Sequence, residues 1–83
     1  MTTEQIAKFF SVNKNQEVPV RISFKTRNNV IGIFIKTPDF DELKSKNFWR
    51  IVSEANFEQW KQSKDYNLCR MFNGSEFTKL ALN

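Results

Sequence analysis

Histidine is absent from this 83-residue chain, and glycine, proline and cysteine are scarce, at two, two and one. Without histidine the chain lacks the commonest general acid–base group and metal ligand. Cys69 has no partner, which excludes an intrachain disulfide framework and suits a reducing compartment. It lies in an apolar, strand-like stretch, where a packed thiol outweighs a nucleophile. Neither glycine has a second one nearby, so no Walker or dinucleotide-type phosphate loop is present. Asp39, Asp41 and Glu42 fall close together, but the ligand spacing and glycine of a calcium loop are missing, and they read as a solvated acidic loop. No run approaches the roughly 18 apolar residues of a membrane span, and Met1–Phe10 lacks the basic start and long apolar core of a signal peptide. The expectation is a soluble, cytoplasmic, non-catalytic protein with no cofactor, no metal and no membrane partner.

Aromatic residues and positive charge are what the chain has in quantity. It carries nine phenylalanines and two tryptophans, which compensate for the small core available to one short domain, residues 1–83. The net charge is +4, with six basic and five acidic side chains over 1–42 and seven and four over 43–83. Such a balance favours polyanionic partners, although solvated surface lysines account for it equally well.

The patterning changes in an orderly way. Thr2 followed by Gln5 is a capping-box pair, and Ile6, Phe9 and Phe10 share one helical stripe, which predicts a short amphipathic helix over 3–12. Asn13, Lys14 and Asn15 end it. From Val18 to Lys25 apolar and polar residues alternate as in a half-buried strand, with Pro19 near its start. Thr26–Asn29 supplies a hairpin turn, and Val30–Ile35 is a second strand, apolar on both sides and therefore covered on both. One cover is the interior of a barrel, and the N-terminal helix is a candidate for the other. Thr37-Pro38-Asp39 ends this strand, and Phe40–Lys46 reads as a charged loop. Phe48–Val52 is a third strand with Trp49 and Ile51 on one face. Between Ser53 and Asp65 the spacing of Phe57 and Trp60 fits either a short helix or a distorted excursion of a long hairpin. Leu68–Phe72 reads as a fourth strand, Asn73-Gly74 as a turn or bend, and Phe77–Leu82 as a fifth strand that also fits a helical face.

Gly32 and Gly74 sit among these apolar runs rather than in linkers. Glycine in such a place marks a bulge, a tight bend or a close approach of two backbones, and it points to a small, sharply bent barrel. Aromatic rings among lysines and asparagines suit base stacking beside phosphate contacts. Phe40 with Lys44, Lys46 and Asn47 is one such group, and Trp60 with Lys61 and Lys64 is another. Core packing is the competing explanation for each ring.

The order of helix, Val18-Pro19-Val20-Arg21-Ile22-Ser23-Phe24, polar hairpin and Val30-Ile31-Gly32-Ile33 resembles the opening of Sm-like proteins (the Sm, LSm and bacterial Hfq family). Met71-Phe72-Asn73-Gly74-Ser75-Glu76-Phe77 is similar to the family's second motif, and Asp39 lies close to the aspartate of the first, one residue further on. The Lys-His signature of Hfq is missing, and Asn73 stands where many eukaryotic members have arginine, so the chain looks like a divergent bacterial or phage-type member. The resemblance implies a mainly β fold with a short N-terminal helix: a five-stranded, strongly bent antiparallel SH3-like or Sm-like barrel over 18–82. It also implies a homo-oligomeric ring, commonly of about five to seven subunits, closed by pairing of edge strands. The implied function is binding of single-stranded, uridine- or adenine-rich RNA. Phe40 would stack a base, and Asn47 and Asn73, with Gly74 in the same motif, would position base edges. Lys36, Lys44, Lys46 and Arg70 would contact phosphates. The competing class is an interaction or assembly module of the same fold that binds protein and no nucleic acid.

Overall fold

Thr2 opens the first helix as the sequence predicts: its hydroxyl accepts from the Gln5 amide at 3.2 Å while the Gln5 side chain accepts from the Thr2 amide at 2.9 Å. The computed structural model describes residues 1–13 and 17–83, so Lys14 and Asn15 of the expected turn lie outside the described residues. Helix α1 spans Thr3–Val12 and is closed by Asn13, whose amide and side chain both donate to the Phe9 carbonyl. Its stripe anchors it, with Ile6 fully buried and the Phe10 ring 4.7 Å from that of Phe34.

Five antiparallel strands follow: β1 (Val20–Phe24), β2 (Val30–Phe34), β3 (Phe48–Ser53), β4 (Arg70–Asn73) and β5 (Phe77–Leu82). They form one sheet in the order β4-β3-β2-β1-β5, so four strands meander and the last returns to the free side of the first. The sheet is open, with β4 and β5 at opposite edges. Val20 pairs with Gly32 across the first hairpin and with Leu82 across β1–β5, and the register shifts at Ser23 and Phe24. The last segment is therefore a strand, because pairing with β1 overrides the helical spacing of Phe77, Leu80 and Ala81.

β2 is covered on both faces, but the covers differ from the expectation. On one face Ile6 of α1 joins Val20, Ile22, Trp49, Ile51 and Phe77 in the main core. On the other, Ile33, Ile35 and Val52 pack under Trp60 of helix α3 (Phe57–Ser63). Thus α1 closes the interior face and α3 takes the outer one, so the stretch after β3 is a short helix, entered through a 3-10 turn over Glu54–Asn56 and ending at Ser63, rather than a hairpin excursion. Two other boundaries move. Phe40–Ser45 is a helix, α2, rather than a loop, with Phe40 and Leu43 one turn apart, acidic residues in its first turn and Lys44 in its last. β4 begins at Arg70, two residues later than expected, because a 3-10 turn capped by the Asp65 carboxylate occupies Tyr66–Leu68.

Gly74 opens a 3-10 turn (Gly74–Glu76) joining β4 to β5, and Gly32 lies inside β2. Neither has a positive φ, so space and not backbone freedom demands glycine. A Cβ on Gly32 would strike the Ile51 side chain and come within 3.2 Å of the Val52 carbonyl oxygen.

Candidate nucleic-acid interface

Asp39 fixes the corner from which the candidate site is built. Its carboxylate accepts from Arg50 on β3, Nη2 at 2.9 Å and Nε at 3.3 Å, and from the buried Thr37 hydroxyl. This forked pair ties the end of β2 and the start of α2 to β3. The Arg50 hydrogen bonds, with help from Thr37, hold the Asp39 pKa down at about 2. A depressed folded-state pKa means that the pair stabilises the fold above the ordinary value of 3.8, and that this contribution is lost as pH falls toward 2. Asp39→Asn is accordingly expected to lower the melting temperature at pH 7. It should also flatten the dependence of melting temperature on pH between about 4 and 2, as followed by circular dichroism. An unchanged acid profile would show that the pair is not what holds this corner.

With the corner fixed, Lys36, Phe40 and Lys44 line one cleft of about 680 Å³ between α1, α2, α3 and the ends of β2 and β3. The Phe40 ring stands edge-on to Trp49 with centroids 5.9 Å apart, and Lys36 Nζ lies 5.6 Å from the Phe40 centroid. Phe10, Phe34, Trp60 and Tyr66 complete an aromatic lining. Glu17, the carboxylate of the cleft, accepts from Lys64 Nζ at 3.0 Å and from Trp60 Nε1 at 3.1 Å. The Lys64 hydrogen bond, aided by Trp60 and opposed by burial, keeps this carboxyl ionised below its ordinary range. Lys36 and Lys44 make no ion pair among the described residues, so the cleft presents aromatic surface under unneutralised positive charge.

The remaining residues singled out by the sequence lie elsewhere. Asn47 sits at the corner between α2 and β3 with φ 62°, a left-handed conformation that asparagine tolerates. Its side chain donates to the Met1 carbonyl at 3.0 Å and accepts from Trp49 Nε1 at 2.8 Å, and its backbone carbonyl accepts from the buried Gly74 amide at 2.8 Å. Both functions of the carboxamide are thus engaged inside the fold, and Asn47 and Gly74 form a structural joint. Lys46 is exposed at the C-cap of α2, 3.8 Å from Glu42. Arg70 and Asn73 line a separate depression of about 460 Å³ with Arg27, Phe24 and Phe72. There Asn73 accepts from the Ser75 amide at 3.0 Å, and the Arg27 guanidinium lies 5.0 Å from the Phe24 centroid and 5.8 Å from that of Phe72.

Sequence reasoning missed Arg27, Trp49 and Tyr66. Arg27 sits in a stretch that reads as a turn, Trp49 reads only as one side chain on a face of the third strand, and Tyr66 is surrounded by polar residues that give no period. Of the second aromatic group, Trp60 is buried and Lys61 exposed outside the cleft, while Lys64 lines it. Burial pushes the Cys69 thiol up, which disfavours the thiolate, and among the described residues no group of three or more acidic or cysteine side chains is placed to hold a metal ion. No helix of the described residues is long and apolar enough to cross a membrane. No protein-family model, curated protein or solved structure matches the chain.

Proposed function

We propose that the chain is a non-catalytic RNA-binding protein of Sm-like architecture, whose copies join through edge strands into a ring and bind single-stranded, uridine- or adenine-rich RNA. The observation that carries the reading is the convergence of Lys36, Phe40 and Lys44 on one aromatic cleft whose carboxylate is already paired. Rings offer a stacking face to any base, and free lysines neutralise the phosphates that join successive bases.

A bent, barrel-like sheet is supported by ring contacts between strands that are not neighbours. Phe24 on β1 and Phe72 on β4 lie 5.9 Å apart, although β2 and β3 separate them in the sheet. The register shift at Ser23 and Phe24 sharpens local twist in the same sense. Ring closure is supported by the two open edges, each bearing an exposed apolar side chain, Met71 on β4 and Leu82 on β5. Pairing β4 of one copy with β5 of the next satisfies both edges and covers these residues. The depression that holds Arg70 and Asn73 then supplies a second contact area, with Arg70 directed at phosphate and Asn73 at a base edge.

Anisotropy titration of short oligo(U) and oligo(A) against salt tests the function. Affinity is expected to fall with salt and to fall a further 5- to 150-fold, about 1–3 kcal/mol of stacking, for Phe40→Ala. Light scattering is expected to give a discrete multiple of the chain mass, and a strict monomer would overturn the ring. One observation favours a second reading, an interaction or assembly module without nucleic acid: the Asn47 carboxamide is engaged internally. Background binding at low salt would select that reading.

A further inference from the structure

A second group of cleft residues repeats the chemistry of the first. At one side Lys36 stands over Phe40, with Nζ 5.6 Å from the ring centroid. At the other Lys64 stands over Trp60 at 5.2 Å, and Tyr66 lies nearly parallel on Trp60, with centroids 5.9 Å apart and planes 23° from each other. Trp60 is buried to 2% exposure, whereas Tyr66, which lines the cleft, is 50% exposed. The pair is held firmly in place. The Trp60 indole donates to Glu17, the same carboxylate accepts from Lys64, and Lys64 closes α3 in a left-handed conformation at φ 51°. The Asp65 carboxylate then accepts from the Asn67 amide at 2.9 Å, which fixes the turn carrying Tyr66. Half-exposed aromatic surface resting on a pinned indole is a preorganised stacking platform, because little side-chain freedom remains to be lost on binding.

We propose that Tyr66, backed by Trp60 and flanked by Lys64, is a second base platform, so that the cleft takes two successive nucleotides of one strand, the other base resting on Phe40. The proposal rests on the RNA-binding reading above and names the unit recognised there. The cleft volume of about 680 Å³ falls near the middle of the range of roughly 300–1,000 Å³ that encloses drug-sized ligands, which are themselves larger than one base. Lys36 and Lys44, which line the same cleft and make no ion pair among the described residues, suit the phosphate that joins two nucleosides, and Lys64, already paired with Glu17, serves chiefly to hold the platform.

The test compares uridine monophosphate, the UpU dinucleotide and oligo(U), with the adenine series in parallel, on the full chain and on Tyr66→Ala, Tyr66→Leu and Tyr66→Phe. Leucine keeps apolar cover over Trp60 without an aromatic face, so it reports stacking even where alanine unfolds the turn. Tyr66→Ala and Tyr66→Leu are expected to weaken dinucleotide and oligomer binding about 5- to 150-fold and mononucleotide binding far less, because Phe40 remains to stack a single base, and Tyr66→Phe to bind as the parent. Oligomer affinity unchanged in Tyr66→Leu but reduced in Phe40→Ala would overturn the platform and leave RNA binding standing. Equal losses for mononucleotide and dinucleotide would also overturn it, by reducing the cleft to one subsite. No binding of any oligomer at low salt would overturn both readings together.

Discussion

Gly74→Ala is expected to destabilise the fold by about 1–3 kcal/mol, which in a domain of this length lowers the melting temperature by about 4–24 °C. The backbone at Gly74 is accessible to any residue, since its φ is not positive, so the effect arises from volume alone. A Cβ there would come within 2.7 Å of Ile6 Cδ1 and 2.8 Å of Asn47 Cγ, and closer still to the Asn47 amide oxygen. Neither neighbour yields easily. Ile6 is fully buried in the main core, and shifting the Asn47 carboxamide breaks its bonds to the Trp49 indole and the Met1 carbonyl. Breaking them leaves the indole donor of a buried tryptophan without a partner, which adds a desolvation penalty to the steric one. The loss propagates because the Gly74 amide donates to the Asn47 carbonyl and the Gly74 carbonyl accepts from the N-terminal ammonium at 3.0 Å. Ser75→Ala, at the exposed neighbour, serves as the control and is expected to melt with the parent. Equal melting temperatures for all three proteins would show that crowding is not what excludes a side chain at this joint.

The paired charge reversal Lys36→Glu with Lys44→Glu is expected to weaken oligo(U) or oligo(A) binding about 100-fold at low salt, from two charge-assisted contacts of about 1.5 kcal/mol each. The slope of log affinity against log salt should shrink by about 1.4, since each phosphate contact on a single strand contributes roughly 0.7. Both changes are predicted to leave stability near the parent's, because Lys36 is exposed and neither lysine is in an ion pair among the described residues. Lys25→Glu makes the same kind of charge change at an exposed site outside the cleft. If it weakens binding as much per charge as the paired variant, overall charge rather than the cleft governs affinity, and the site assignment falls. The salt slope separates the two cases more sharply than a single dissociation constant does.

Several elements are legible in the residues because the interactions that build them are local. The Thr2–Gln5 box and the Ile6, Phe9, Phe10 stripe place α1 from Thr3 to Val12, and alternation places the β1 side chains, with Val20 and Ile22 fully buried. The first strand nonetheless starts at Val20 and not Val18, since ladder pairing with Gly32 and Leu82 begins there. α2 escapes notice because six residues span less than two turns, too few for a period to emerge. In the site, charge and aromatic content around position 40 indicated Phe40 and Lys44 together with Lys46 and Asn47, and the resemblance added Lys36; of these, Phe40, Lys44 and Lys36 meet in one cleft. The same content could not foresee that Asn47 is engaged by Met1 and Trp49, or that Arg70 and Asn73 face a different depression.

Composition and spacing by themselves determined helix α1, the first three strands and the apolar side of each, because these follow from contacts within a few residues along the chain. Tertiary structure alone decided that α1 covers the inner face of the sheet and α3 the outer, that β4 and β5 stand as open edges, and that Lys36, Phe40, Lys44 and Tyr66 share one cleft. These outcomes depend on which apolar faces bury each other between segments far apart in the chain, and local pattern does not encode that choice.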